Sequence, residues 1–183
     1  EAGAGPVTEA DLEIDDFLKT SLLNSAPHYG WLSEETEDSS SRLTKTKVFI
    51  VDPIDGTRSF IAGDRTWAHS LAVVENGIPI AAVIYLPKMN LLYTAEVNKG
   101  AFLNGKKISV SQNFKLKDAE ILAKNSILNE NIWKSGDRAL FRQRYCPSIA
   151  YRLALVAEGR FDGMIALGRT WEWDICAGHL LVS

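Results

Sequence analysis

The sequence predicts a mixed α/β fold, with an α+β lobe over residues 1–111 and an α/β lobe over residues 112–183 forming one structural unit. Three observations carry this. A single helix-like stretch precedes a run of strand-like segments between residues 47 and 110. Turn residues separate those segments at spacings short enough for an antiparallel meander. After residue 112 strand-like and helical segments alternate, the pattern of an α/β layer. With 183 residues and 46% hydrophobic composition the chain can bury a substantial core.

The elements follow in order. Ala10, Ile14, Phe17, Leu18 and Leu22 recur at helical spacing, and Thr8-Glu9-Ala10-Asp11 has the T-x-x-acid form of a helix start, so the spacing predicts an amphipathic helix from about Thr8 to Ser25. A short apolar piece, YGWL at 29–32, leads into SEETEDSSSR at 33–42, an exposed acidic loop by its Ser and Asp content. KVFIV at 47–51 reads as a buried strand that delivers the chain to Asp52, where a turn follows. WAHSLAVVE and IPIAAVIYLP are joined by Asn76-Gly77, a strong hairpin signal. LLYTAEV and AFLNGKKISV read as two further strands. Beyond them come a strand at EILAKN, helices at GDRALFRQR (136–144) and SIAYRLALVAEG (148–159), a strand at FDGMIAL (161–167) and a last helix beginning near Asp174.

A formal net charge of −3 supplies no general attraction to a nucleic-acid polymer or an anionic membrane. Cys146 and Cys176 form no C-x-x-C pair and read as free thiols. There is no long apolar run and no signal-peptide pattern at the N-terminus, which favours a cytoplasmic protein.

Three acidic positions each lie where one element gives way to another: Glu34 with Glu35, Asp52 with Asp55, and Asp174. Taken singly they have ordinary explanations: a solvated loop, a turn, a helix cap. As a set they do not, because carboxylates brought together force one another to hold protons unless a cation neutralises them. Oxygen ligands without paired His or Cys point to a hard ion, Mg²⁺ rather than Zn²⁺. Gly56 and Thr57 then open a helix whose backbone N–H groups attract an anion. His28, His69 and His179 have no metal-like spacing.

VTEAD (7–11), SEET (33–36), DPIDGT (52–57) and WDICAGH (173–179), in that order, resemble the signature of the inositol monophosphatase superfamily of Mg²⁺-dependent, lithium-sensitive phosphatases. The resemblance implies a layered αβαβα sugar-phosphatase fold, here without the flanking segments usual at both ends, and homodimers as a common assembly. It implies two or three Mg²⁺ ions. Glu34, Asp52 and the Ile54 carbonyl would hold one, and Asp52, Asp55 and Asp174 a second; a third, weaker ion would use Glu34 and waters. Asp11 would hydrogen-bond Thr57, and that pair with Glu34 would orient and deprotonate the attacking water. Gly56, Thr57 and Asp174 would face a small phosphorylated substrate, and Glu35 would be a neighbour rather than a ligand.

PSIAYRLALVAEGRFDG at 147–163 resembles the 3'(2'),5'-bisphosphate nucleotidase branch, which implies removal of the 3'-phosphate of 3'-phosphoadenosine 5'-phosphate to give AMP. The alternative is inositol-1-phosphate; a noncatalytic metal- or nucleotide-binding domain is the reading from another class. Leu167 stands where the inositol branch carries an acid that receives inositol hydroxyls. Arg152, Arg160 and Arg169 are candidates for a second phosphate, though an arginine on a helix face is more often solvated. Tyr151, Trp171 and Trp173 are candidates for stacking on adenine, though such aromatics more often pack in the core.

Overall fold

The computed structural model describes residues 6–128, 133 and 140–183. Seven strands form one sheet in the order of the chain: β1 (Gly30–Ser33), β2 (Lys47–Asp55), β3 (Ala68–Glu75), β4 (Ile78–Leu86), β5 (Leu91–Glu96), β6 (Gly100–Leu103) and β7 (Lys106–Lys107). β1 pairs parallel to β2, and every later pairing is antiparallel. A second sheet of three parallel strands has β8 (Glu120–Ala123) between β10 (Gly163–Ile165) and β9 (Arg142–Arg144).

The alternating burial of β3, buried at even and half-buried at odd positions, explains how the large sheet is covered. Helix α1 (Glu9–Ser25) lies on one face, with Leu18, Leu22 and Leu23 against Trp31, Phe49 and Val51. Helices α3 (Ile149–Ala157) and α4 (Glu172–Val182) cover the other, where Ala154, Leu155, Ala177 and Leu181 join Ile50, Ala72, Ile84 and Tyr93 in the main core. Leu122 of β8 enters the same core, so helices separate the two sheets and the described layers run α, β, α, β. Ile127, in a short 3-10 turn, packs with Ile121 and Phe141 in a separate small cluster. No helix among the described residues is long and apolar enough to cross a membrane.

The hairpin at Asn76-Gly77 forms as its sequence predicts, with both residues at positive φ. The same dipeptide recurs at Asn104-Gly105, also at positive φ, and it splits the expected single strand AFLNGKKISV into β6 and β7. The helix expected at GDRALFRQR is not one over 142–144, which form β9; residues 136–139 lie outside the described residues. Three residues carry too little periodicity to declare a strand. Their conformation comes from pairing with β8, where Arg144 meets Glu120 at 2.9 Å across the strands. The expected loop at 33–42 ends in a 3-10 turn that runs on beyond it, over Ser40–Thr44.

Helix α1 also departs from its pattern. Its fully buried side chains are Asp11 and Asp15, whereas Phe17 is 67% exposed. Acids at i and i+4 share a face, and here that face meets the polar end of the sheet instead of the core.

Gly178 marks the closest approach of α3 and α4, since a methyl group there would lie inside van der Waals contact of Leu153 Cβ and Cδ1. Gly178→Ala is expected to lower unfolding stability by about 1–3 kcal/mol, read from the urea midpoint at unchanged slope.

Candidate metal centre

Asp52 and Asp55 both belong to β2, which runs on past the predicted turn to Asp55. In a regular strand residues three apart point to opposite faces. The register prevents that here: Asp52 pairs with Ser70 and Asp55 with Ala68, so β2 has one residue more than β3 over the interval. Such a bulge restores both aspartates to the same side. Pro53, which cannot donate to the ladder, sits inside the bulge.

Asp174 arrives from the other half of the chain, in the first turn of α4, where its Oδ2 accepts the Trp171 N–H at 2.7 Å. Carboxylate oxygens of Asp52, Asp55 and Asp174 lie within 4.8 Å of one another. Asp55 Oδ2 accepts from the Ser148 hydroxyl and the Ala150 N–H, both at 2.5 Å, so the start of α3 grips it. Asp52 is 1% exposed and its Oδ1 has no hydrogen-bond partner. An orphaned buried carboxylate oxygen facing two other acids fits a hard divalent cation.

Glu34 stands at the mouth of this cluster. The partial burial of its carboxyl and then the charges of Glu35, Asp174, Asp55 and Asp11 push its pKa up to about 7. Burial raises Asp55 to about 6 against the opposing hydrogen bonds from Ser148 and Ala150, and burial followed by the Asp55 and Glu34 charges raises Asp52 well above the carboxylate range. Burial also raises Asp174.

Asp11 and Thr57 are brought together as expected. The Thr57 hydroxyl lies 3.4 Å from Asp11 Oδ1 and 3.1 Å from the Ile54 carbonyl, while Asp11 Oδ2 accepts the Thr8 N–H at 2.8 Å and the Thr8 hydroxyl at 2.5 Å. Gly56, at φ 96°, caps α2 (Thr57–Ile61), a helix of only five residues.

Several residues at the site escaped the sequence reading. Asp15 accepts the hydroxyls of Ser33 and Thr36, the residues on either side of Glu34 and Glu35, and so ties that loop to α1. His69 Nδ1 lies 2.5 Å from the Pro53 carbonyl, which can only accept, so the ring donates and braces the bulge. Ser148, the first residue of the predicted helix at 148–159, caps α3 and donates its hydroxyl to Asp55, 93 residues away in the sequence. Arg152 is a correction: the expected solvated side chain is 2% exposed, bonded to the carbonyls of Ser148 and Pro147. Arg160 pairs with Glu158 at 2.6 Å. Cys146 and Cys176 are free and buried, each thiol pushed up to about 11 by burial.

Two outcomes are expected. Raised carboxyl pKa values mean that the metal-free folded protein holds protons the unfolded chain has released, so its melting temperature should fall as pH rises from about 4.5 to 7. Saturating Mg²⁺ should remove that loss, by about 2.7 kcal/mol at a hundredfold excess over Kd, and melting curves in EDTA and in Mg²⁺ across this range check it. Asp15→Asn, which releases the loop carrying Glu34, should weaken Mg²⁺ binding by roughly tenfold in calorimetry.

Comparison with known proteins agrees with this geometry. The inositol monophosphatase family matches residues 1–183. An inositol-1-monophosphatase of Mesorhizobium japonicum is 37% identical over 194 residues, covering 96% of this chain and 68% of that protein. The extragenic suppressor protein suhB of Bartonella henselae superposes with a TM-score of 0.83 at 32% identity, covering 97% of this chain and 71% of that one. A structure of SaIMPase-II with 2'AMP bound gives a TM-score of 0.86 at 27% identity, covering 96% of this chain and 69% of that one. With its acids converging from β2 and α4, the chain belongs to the inositol monophosphatase family, whose members are metal-dependent phosphatases acting on small phosphorylated substrates.

Proposed function

We propose that this chain is a Mg²⁺-dependent phosphomonoesterase whose substrate is 3'-phosphoadenosine 5'-phosphate, giving AMP and phosphate. The observation that carries the metal chemistry is the convergence of Asp52, Asp55 and Asp174 around an unpartnered Asp52 oxygen. In this reading Glu34, Asp52 and the Ile54 carbonyl hold one ion, Asp52, Asp55 and Asp174 hold a second, and Glu34 supports a weaker third. Bound there, such ions lower the pKa of water and stabilise both oxygens of an in-line displacement.

The chain's own groups do the rest. Thr57, steadied by Asp11, and Glu34 orient the attacking water and take its proton. The N–H groups following Gly56 and the Asp174 side chain face the substrate. Residues 1–111 supply most of the metal ligands, and residues 112–183 supply Asp174 and the substrate side.

What supports the nucleotide is the wall beside Asp174. Trp171 is 61% exposed and stacked on Trp173 with ring centroids 5.1 Å apart, offering a face to a base, and Leu167 cannot receive sugar hydroxyls. Inositol-1-phosphate is the second reading, favoured by the names of relatives such as the Mesorhizobium protein, which are inositol monophosphatases rather than nucleotidases.

Phosphate release from both substrates, measured side by side in Mg²⁺, tests the choice. A higher kcat/KM for the nucleotide is expected, and a preference for inositol-1-phosphate selects the second reading. Asp55→Asn should cut turnover by roughly 100- to 1000-fold with the circular dichroism spectrum unchanged. Mg²⁺ and nucleotide binding without phosphate release by the unaltered protein would instead mark a noncatalytic domain.

A further inference from the structure

We propose that His69 and Ser70, neighbours on β3, are a pair of positioning residues for the metal centre: His69 sets the bulge that turns Asp52 and Asp55 together, and Ser70 sets the helix start that delivers Asp174. This rests on the metal-ion reading above and adds to it how one strand gathers ligands from both halves of the chain.

Successive side chains of a strand point to opposite faces of its sheet. On β3 that alternation places His69, half-buried, on one face and Ser70, 1% exposed, on the other. Both stand beside the bulge. Ser70 pairs with Asp52, and Ala68, on the other side of His69, pairs with Asp55, so Pro53 and Ile54 fall between the two pairings without a partner on β3.

The Pro53 carbonyl therefore lies outside the ladder, in a fully buried residue, and the His69 Nδ1–H meets it at 2.5 Å. Satisfying a buried carbonyl serves stability. The consequence for the site is geometric: a peptide group is planar, so fixing the Pro53 oxygen fixes the Pro53–Ile54 peptide, the link between Asp52 and the Ile54 carbonyl. Packing holds the ring in place for this bond. Trp67 meets it edge-on at 5.3 Å between centroids, and Tyr85, its pairing partner on β4, stacks at 6.3 Å. Trp67 in turn meets Phe60 of α2 at 5.0 Å, so the same aromatic row reaches the helix that opens with Thr57.

Ser70 acts on the other ligand. Its hydroxyl donates at 3.3 Å to the carbonyl of Trp173, the residue before Asp174 and 103 positions along the chain. Because Ser70 also pairs with Asp52, one residue ties the backbone beside Asp52 to the backbone beside Asp174. At 2.5 Å against 3.3 Å the histidine bond is the stronger of the two.

Mg²⁺ binding by calorimetry, at a temperature where every variant is folded, tests the pair without turnover. His69→Phe keeps a ring and removes the donor, Ser70→Ala removes only the hydroxyl, and His69→Asn restores an N–H donor. Outer supports of metal ligands account for roughly 10- to 100-fold in affinity, so His69→Phe should weaken Mg²⁺ binding by roughly tenfold or more, Ser70→Ala by a smaller factor, and His69→Asn should recover most of the loss. A role in stability alone would lower the melting temperature in EDTA and leave the affinity of the folded protein as it was. In the unaltered protein, nitrogen-15 NMR should show the His69 proton on Nδ1, and a proton found only on Nε2 overturns the role of His69 whatever the variants do. Affinity unchanged by either His69→Phe or Ser70→Ala, or a loss that His69→Asn does not recover, overturns the pair. Mg²⁺ binding without phosphate release by the unaltered protein overturns the phosphatase reading and leaves the pair to be judged by affinity, whereas no Mg²⁺ binding by the unaltered protein overturns both.

Discussion

The mutual repulsion of Asp52, Asp55, Asp174 and Glu34 is the constraint on which the rest of this structure depends. Two unit charges 4 Å apart repel by about 4 kcal/mol at the effective dielectric of a protein. Three carboxylates within 4.8 Å therefore cannot all ionise in a folded chain unless something holds them there and something neutralises them. The raised pKa values of Glu34, Asp52, Asp55 and Asp174 record the first half of that conflict. The unpartnered Asp52 oxygen is where a cation resolves the second.

The scaffold holds the acids by separate means. A bulge in β2 turns Asp52 and Asp55 to one side, His69 braces the Pro53 carbonyl within it, and the start of α3 fixes Asp55 through Ser148 and Ala150. Asp15 fixes the Glu34 loop through two hydroxyls. These supports are local and rigid, so the ligands are preorganised and the cost of crowding them is met by folding before any ion arrives. The apolar faces of α3 and α4 against the large sheet supply the burial that sustains it.

The same helix start that grips Asp55 also backs a small pocket lined by Lys124, Arg152 and Arg169. Charge of one sign lies on each side of it, acids toward the metal cluster and cations toward the pocket.

By itself the sequence determined the mixed α/β class, the first helix and the strands that follow it through β5, the hairpin at Asn76-Gly77 and the set of acids to watch, because periodicity and turn chemistry are local properties. It also named Asp11 with Thr57, which the fold brings into contact. Tertiary structure decided the rest. Three residues became β9 because β8 offered them a ladder, Asp15 was buried because two hydroxyls from another element met it, and Arg152 left the solvent because α3 turns that face inward. The convergence of Asp52 and Asp55 belongs here too. Their spacing of three places them on opposite sides of an ordinary strand, and only pairing against β3, with one residue to spare, puts both carboxylates on the same side as Asp174.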